Sequence, residues 1–155
     1  MPQLVKGGKY VFGWSVAGNN GEINIPIEAR TEYKLEPAHK VIAISGSKTS
    51  GGFSIIKDDV LKKSKLSALL DDNPLLAHYK LSKGEIISYH KRLICWTEIG
   101  DKGSIILPIN ALAQYEIKPE DYLLSIRGSG LGVAFIVKGP IINEAKKHSN
   151  LSINR

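Results

Sequence analysis

The sequence predicts a mainly β fold with short helices, in which two tandem copies of one unit close a common pseudo-symmetric barrel. Three observations predict it. First, shifting the 155-residue chain by 82 positions gives 14 identities over the 45 positions from Lys9 to Phe53 without a gap, among them Trp14 with Trp96, Gly21 with Gly103, Pro26 with Pro108 and Tyr33 with Tyr115. Second, many of the identities fall on glycines and prolines, so the copies share their turns as well as their composition. Third, a unit of about 50 residues is marginal alone, and its few short strands cannot bury both faces of their own sheet. Two copies can complete each other.

Each copy reads as strand, turn, strand, short helix, strand, turn, strand, helix. YVFGWSV and RLICWTEI are rich in aromatic and β-branched residues and end at AGNNG and GDKG, which carry turn chemistry. INI and IIL then lead to Pro26 and Pro108, where a helix can start because proline's missing N–H has no partner in the first turn. The short helices PIEARTEYKL and PINALAQYEI follow, and EPAHK and KPED turn the chain into the strands KVIAIS and YLLSIR. Glycine-rich tips, GSKTSGG and GSGLG, return it as FSIIK and FIVK, matched after one deletion as IIK against IVK. DDVLKKSKLSALL is predicted as one helix capped by Asp58 or Asp59, with Val60, Leu61, Leu66, Leu69 and Leu70 on its apolar face; PIINEAKKHS is the second copy's helix. The organisation is therefore a first repeat with its helix over 1–70, a packed connector over 71–90, a second repeat with its helix over 91–148, and a tail over 149–155.

Composition is that of an ordinary globular chain, 43% hydrophobic and 23% charged. Leu131 to Val137, the longest apolar stretch, contains a glycine and is far short of the roughly 20 residues of a membrane span. No basic start leads into an apolar run, and the single cysteine, Cys95, lies in the apolar stretch LICW, so a cytoplasmic protein with a buried thiol is expected. The net charge of +6 favours an anionic partner. Lys/Arg against Asp/Glu run seven to four over 1–57, five to five over 58–90, six to five over 91–139 and three to one over 140–155. Any basic surface must therefore be assembled by folding.

The run G-x-I-x-[IL]-P-I-x-A, then [LI]-x-P-x-[HD] and an apolar strand, resembles the AbrB-type swapped-hairpin domain, also seen in SpoVT and MazE-like antidote proteins. Its best match here is GSIILPINALAQYEIKPEDYLLSI. Two such units in one chain, each followed by a helix, are similar to the MraZ arrangement. The resemblance implies a swapped-hairpin barrel and a DNA-binding transcriptional regulator that forms oligomers and contacts duplex DNA through a basic face. Where that family carries D-x-x-G-R, this chain has Gly18 and Glu22 in the first copy, and Gly100 and Ser104 in the second. The basic residue after the helix-start proline is kept as Arg30 and replaced by Leu112.

The candidate nucleic-acid contacts are Lys9, Arg30, Lys34, Lys91, Arg92 and Lys102, on the strands, turns and short helix where the resemblance puts DNA. Trp14 and Trp96, and Tyr33 and Tyr115, recur at equivalent positions among apolar neighbours and are expected in the core rather than as base-stacking platforms. GSKTS lacks P-loop spacing, and GSGLG precedes a strand, so both are hairpin tips. His39, His78, His90 and His148 have no metal-ligand spacing, Asp71 and Asp72 end a helix, and no serine sits in a nucleophile elbow. No enzyme, cofactor or metal is expected. Glu22, Glu28 and Glu98 near the expected contact face, with the missing arginines, support a second reading: an oligomeric protein-interaction or scaffold module that has lost DNA binding. A small-ligand barrel is a third.

Overall fold

The computed structural model describes residues 9–128, 130–148 and 150–155. Ten strands and six short helices follow in the order β1 (Val11–Val16), β2 (Glu22–Asn24), α1 (Ile27–Tyr33), β3 (Lys40–Ser45), β4 (Phe53–Lys57), α2 (Asp58–Lys62), α3 (Ala68–Asp71), α4 (Pro74–Ala77), β5 (Ile87–Tyr89), β6 (Arg92–Glu98), β7 (Ser104–Ile106), α5 (Ile109–Gln114), β8 (Tyr122–Arg127), β9 (Val133–Ile136), α6 (Pro140–Ala145) and β10 (Ile153–Asn154). Eight strands form one mixed sheet, β10-β1-β8-β9-β4-β3-β6-β5, and β2 and β7 form a separate ribbon.

The 82-residue repeat organises this topology. Ile23 pairs with Ile105 in the ribbon and Phe53 with Phe135 at the centre of the sheet, each residue opposite its own copy. Trp14 opposite Leu124 corresponds to Trp96 opposite Ile42. Hydrogen bonds repeat as well. The Gly18 N–H donates to Glu22 O and the Gly100 N–H to Ser104 O, both at 2.8 Å, and Ile25 and Leu107 reach across to Gly103 O and Gly21 O, both at 3.1 Å. Ser15 and Thr97 hang the ribbon from the sheet, donating from their hydroxyls to Asn24 O at 2.7 Å and Ile106 O at 3.2 Å.

The expected closed barrel is replaced by an open sheet. Instead of meeting each other, β1 and β6 are covered on their outer sides by strands from outside the repeats, β10 running parallel to β1 and β5 antiparallel to β6. Both additions lie in segments read from sequence as tail and connector.

Alternation along the strands serves both faces of the sheet. Val41, Ala43, Phe53, Ile55, Leu123, Val133 and Phe135 point to a central core with Ile23 and Ile105 of the ribbon, Leu112 of α5 and Tyr115 at its C-cap. On the other face, Ile42, Ile44, Ile56 and Ile94 meet Leu61, Leu69, Leu70 and Leu76 of α2–α4, while Leu124, Ile126 and Ile136 meet Ile142 and Ala145 of α6. The helix expected over 58–70 is two: α2 ends at Lys62 and α3 begins at Ala68, with Leu66 between them 37% exposed. No Asp side chain caps α2; its N-cap is Lys57. Trp14 is buried, Trp96 is half-buried and donates its indole N–H to Leu81 O at 2.8 Å, and Tyr115 is buried while its counterpart Tyr33 is half-buried. The Tyr115 hydroxyl lies 3.3 Å from the carbonyls of Ala43 and Leu93 and 3.4 Å from Cys95 Sγ, and burial pushes the Cys95 thiol up to about 11. No helix among the described residues is long and apolar enough to cross a membrane.

Candidate nucleic-acid interface

The β5–β6 hairpin turns through two residues, His90 and Lys91, between the paired Tyr89 and Arg92. Both turn residues are left-handed, with φ of 48° and 65°. A tight hairpin needs φ above zero at both positions, for which Asn-Gly is the favoured pair. A histidine and a lysine there are strained, and the lysine sets a cation at the tip of the hairpin.

Beside that tip, the seven residues from Gly46 to Gly52 link the paired ends Ser45 and Phe53 of the β3–β4 hairpin. This loop is closed by Gly46 N–H to Gly52 O at 3.0 Å and Gly51 N–H to Ser47 O at 2.8 Å, and tied to β6 by the Leu93 N–H, which donates to Ser45 Oγ at 2.9 Å. Gly52 has φ +69°, and a Cβ there would collide with the Phe135 carbonyl, so only glycine holds the loop this close to β9. Between loop and hairpin lies an open depression of about 570 Å³ whose charged lining is Lys48, Lys91 and Arg92, with His90 beside them. It continues past His90 and Arg92 into a smaller hollow of about 210 Å³ edged by Lys65. No carboxylate lines either. None of Lys48, Lys65, Lys91 and Arg92 forms an ion pair among the described residues. Of the carboxylates nearby, Asp72 accepts the Tyr89 hydroxyl and Glu116 pairs with Lys138 at 2.7 Å, while Asp71 also lies close enough to Tyr89 to act on it electrostatically.

No protein-family model and no curated protein sequence matches this chain. Its function has to be read from the arrangement of its own side chains.

Of the six residues singled out from sequence, only Lys91 and Arg92 share this depression. Lys9 lies on the equivalent edge of the other repeat, where its Nζ donates to Gly128 O at 3.1 Å. Lys34 is exposed at the C-cap of α1 with φ 54°. Lys102 is at the far end of β6, in a hollow of about 460 Å³ where Lys83 accompanies it but Glu22, Glu98 and Asp101 outnumber the cations. There Lys83 pairs with Glu98 at 2.9 Å, and that hydrogen bond holds the Glu98 carboxyl below its usual range.

Arg30 is turned inward. Its Nε donates to Ile25 O at 3.0 Å, and its guanidinium lies against Gly103 so closely that any side chain at 103 would strike it. In this conformation it clamps α1 to the ribbon. Glu22 and Ser104, which stand where the resemblance puts arginines, are joined by a 2.8 Å hydrogen bond from Ser104 Oγ across the ribbon. That face presents an acid instead of a pair of guanidinium forks.

Lys48 and Lys65 escaped the sequence reading because a lone lysine in a glycine-rich loop and another in a helical segment carry no signal until folding brings them to the hairpin. Among the described residues, no group of three or more His, Cys, Asp or Glu side chains could hold a metal ion.

Proposed function

We propose that this protein is a DNA-binding regulator of the AbrB/MraZ swapped-hairpin type, whose contact with duplex DNA runs through the rim formed by Lys48, Lys65, His90, Lys91 and Arg92. The observation that carries the reading is the carboxylate-free lining of that rim beside a strained hairpin tip. Unpaired lysines and an arginine on an exposed edge suit the phosphate backbone, which fixes position on a duplex without reading sequence. Strain at a functional tip is a recurrent arrangement, because the geometry that presents the side chains is not the one of lowest energy. The internal repeat, with each copy paired to the other at Ile23–Ile105 and Phe53–Phe135, supports the swapped-hairpin relationship.

The test is a titration of a short fluorescent duplex over a series of NaCl concentrations. Four phosphate contacts give a log–log slope of about −3 to −4. Absence of binding at low salt, or a slope that does not change in the Lys91→Gln, Arg92→Gln variant, would overturn the reading.

A second reading, a protein-interaction module, is favoured by one feature. Ile27, Ile106 and Ile109, which are 70%, 49% and 39% exposed, surround the ribbon and the starts of α1 and α5. An oligomer held by that face would be detected by sedimentation and broken by Ile27→Lys without loss of the fold.

A further inference from the structure

The basic depression has an apolar half that contact with a DNA backbone does not use. Strand register sets Ile44 opposite Ser54 and Ile94, and Arg92 opposite Tyr89, so these side chains share the sheet face covered by α2–α4. Ile44, Ser54 and Ile56 of the sheet and Leu66 of the α2–α3 link line the depression along with its cations. Its continuation is more apolar still: Lys65 and Arg92 edge the smaller hollow, while Leu66, Ala68, Leu69 and Tyr89 wall it. The two spaces have Leu66, His90 and Arg92 in common, so they form one trough.

The apolar wall is built in advance of any ligand. Ser64 Oγ donates to Leu61 O at 2.8 Å and accepts the Leu66 N–H at 3.0 Å, and the Leu69 N–H donates to Leu66 O at 2.9 Å. These bonds hold Leu66 at the trough although it is 37% exposed. Tyr89 is anchored by its hydroxyl, which donates to Asp72, and its ring stands at 76° to the His90 ring with centroids 4.2 Å apart. The two rings make an aromatic corner.

The polar end suits one chemistry. Lys48, Lys91 and Arg92 bring three cations, and Ser45, Ser47 and Ser54 bring hydroxyls. Ser45 Oγ and Ser47 Oγ accept the backbone N–H groups of Leu93 and Ser50 at 2.9 and 3.2 Å, and none of the three hydroxyls donates to a partner among the described residues. A phosphate monoester, with about −1.5 to −2 charge and three acceptor oxygens, uses such a set more fully than a carboxylate does. A duplex docked on the rim engages the same cations but keeps its bases stacked, which leaves the apolar half unfilled.

We infer that the trough is a site for a small phosphate monoester with an aromatic or apolar body. The phosphate lies among Lys48, Lys91, Arg92 and the serine hydroxyls, and the body lies against Leu66, Tyr89 and His90. At about 570 Å³ the depression is within the roughly 300–1,000 Å³ of small-molecule sites, which combine apolar walls with a few convergent polar groups. Since the ligand draws on the cations that meet DNA, it competes with the duplex and makes the chain a regulator that answers to a small molecule. That competition, unlike the binding itself, rests on the DNA-binding reading above.

Calorimetric titration of the whole chain in phosphate-free buffer, with 1-naphthyl phosphate, inorganic phosphate and 1-naphthol, tests the site. Naphthyl phosphate binds at least about tenfold more tightly than phosphate, the gain that covering roughly 55 Å² of apolar surface supplies. Leu66→Gln, which makes the wall polar, and Ala68→Gln, which fills the hollow from an exposed position on α3, each lower that ratio about threefold or more. Leu75→Gln, an exposed change on α4 outside the trough, leaves it unaltered. Thermal melts establish that each variant is folded. Equal affinity for the two anions, naphthol binding as tightly as its phosphate, or a ratio kept in both wall variants overturns the site. Failure of saturating naphthyl phosphate to displace a fluorescent duplex overturns the competition. A chain that binds naphthyl phosphate but no duplex keeps the site and overturns the DNA reading, and one that binds the duplex but not naphthyl phosphate does the opposite.

Discussion

Replacing Lys91 by glycine removes a side chain from a backbone position that disfavours one. Lys91 has φ 65° in the two-residue β5–β6 turn. The left-handed region costs a residue with a Cβ roughly 1–2 kcal/mol, and glycine returns about 0.5–1 kcal/mol of that through its greater freedom in the unfolded chain. Lys91 forms no ion pair among the described residues, so no interaction energy is lost in exchange. The net expectation is a variant more stable by about 0.5–1 kcal/mol, a rise in melting temperature of a few degrees for a chain of this size. Urea unfolding checks it as a higher midpoint at an unchanged m-value. The same variant should lose about one unit of salt slope in DNA binding, because one phosphate contact has gone. A midpoint that stays put or falls would show that the turn is relaxed and would remove the argument that the hairpin tip gives up stability to present charge.

Three further outcomes follow from the packing. Phe135→Ala, at the central Phe53–Phe135 pair with its side chain fully buried, should cost about 3–5 kcal/mol in chemical denaturation. Gly103→Ala should destabilise by at least about 1–2 kcal/mol, since Gly103 has φ +78° and a methyl would strike the Arg30 guanidinium; Gly100→Ala, where a Cβ meets only ordinary contacts, should be nearly silent by the same melt. Because burial holds the Cys95 thiol up at about 11, the folded state keeps a proton that the unfolded chain gives up near pH 9. Stability is then full below pH 9 and falls by at most about 1.4 kcal/mol per pH unit towards 11, and Cys95→Ala should flatten that alkaline limb; burial of Tyr115 acts in the same direction at higher pH.

The repeat made much of the fold legible, because glycine and proline positions are set by local backbone geometry and survive where side chains differ. Gly18–Gly21 and Gly100–Gly103 form matching turns, and both short helices begin just after their prolines. The edge strands were illegible for the opposite reason. β10 pairs through two residues and β5 through three, too few to show any alternation, and their pairing is decided by the exposed edges of β1 and β6. Leu66 fits a helical face by spacing, yet the chain leaves the helix at Lys63, where Lys-Ser-Lys offers nothing apolar to bury. The site was half legible. Lys91 and Arg92 are adjacent in sequence, but Lys48 and Lys65 arrive from a loop and a helix boundary, and nothing local distinguishes Arg30 turned onto Gly103 from an arginine facing solvent.

The interleaving of the copies bears on how the chain reaches its native state. Each β1–β8, β3–β6, β4–β9 and β2–β7 pairing joins residues fifty or more positions apart, so large loops must close before these contacts form. Such a high contact order slows the search. Neither repeat can complete its sheet first and wait for the other: β3 lacks β6, and β8 lacks β1, until both halves are present. The molecule should therefore cross its main barrier as one unit, on the slow side for its length, and a half-chain made alone should seek the missing strands in another copy of itself.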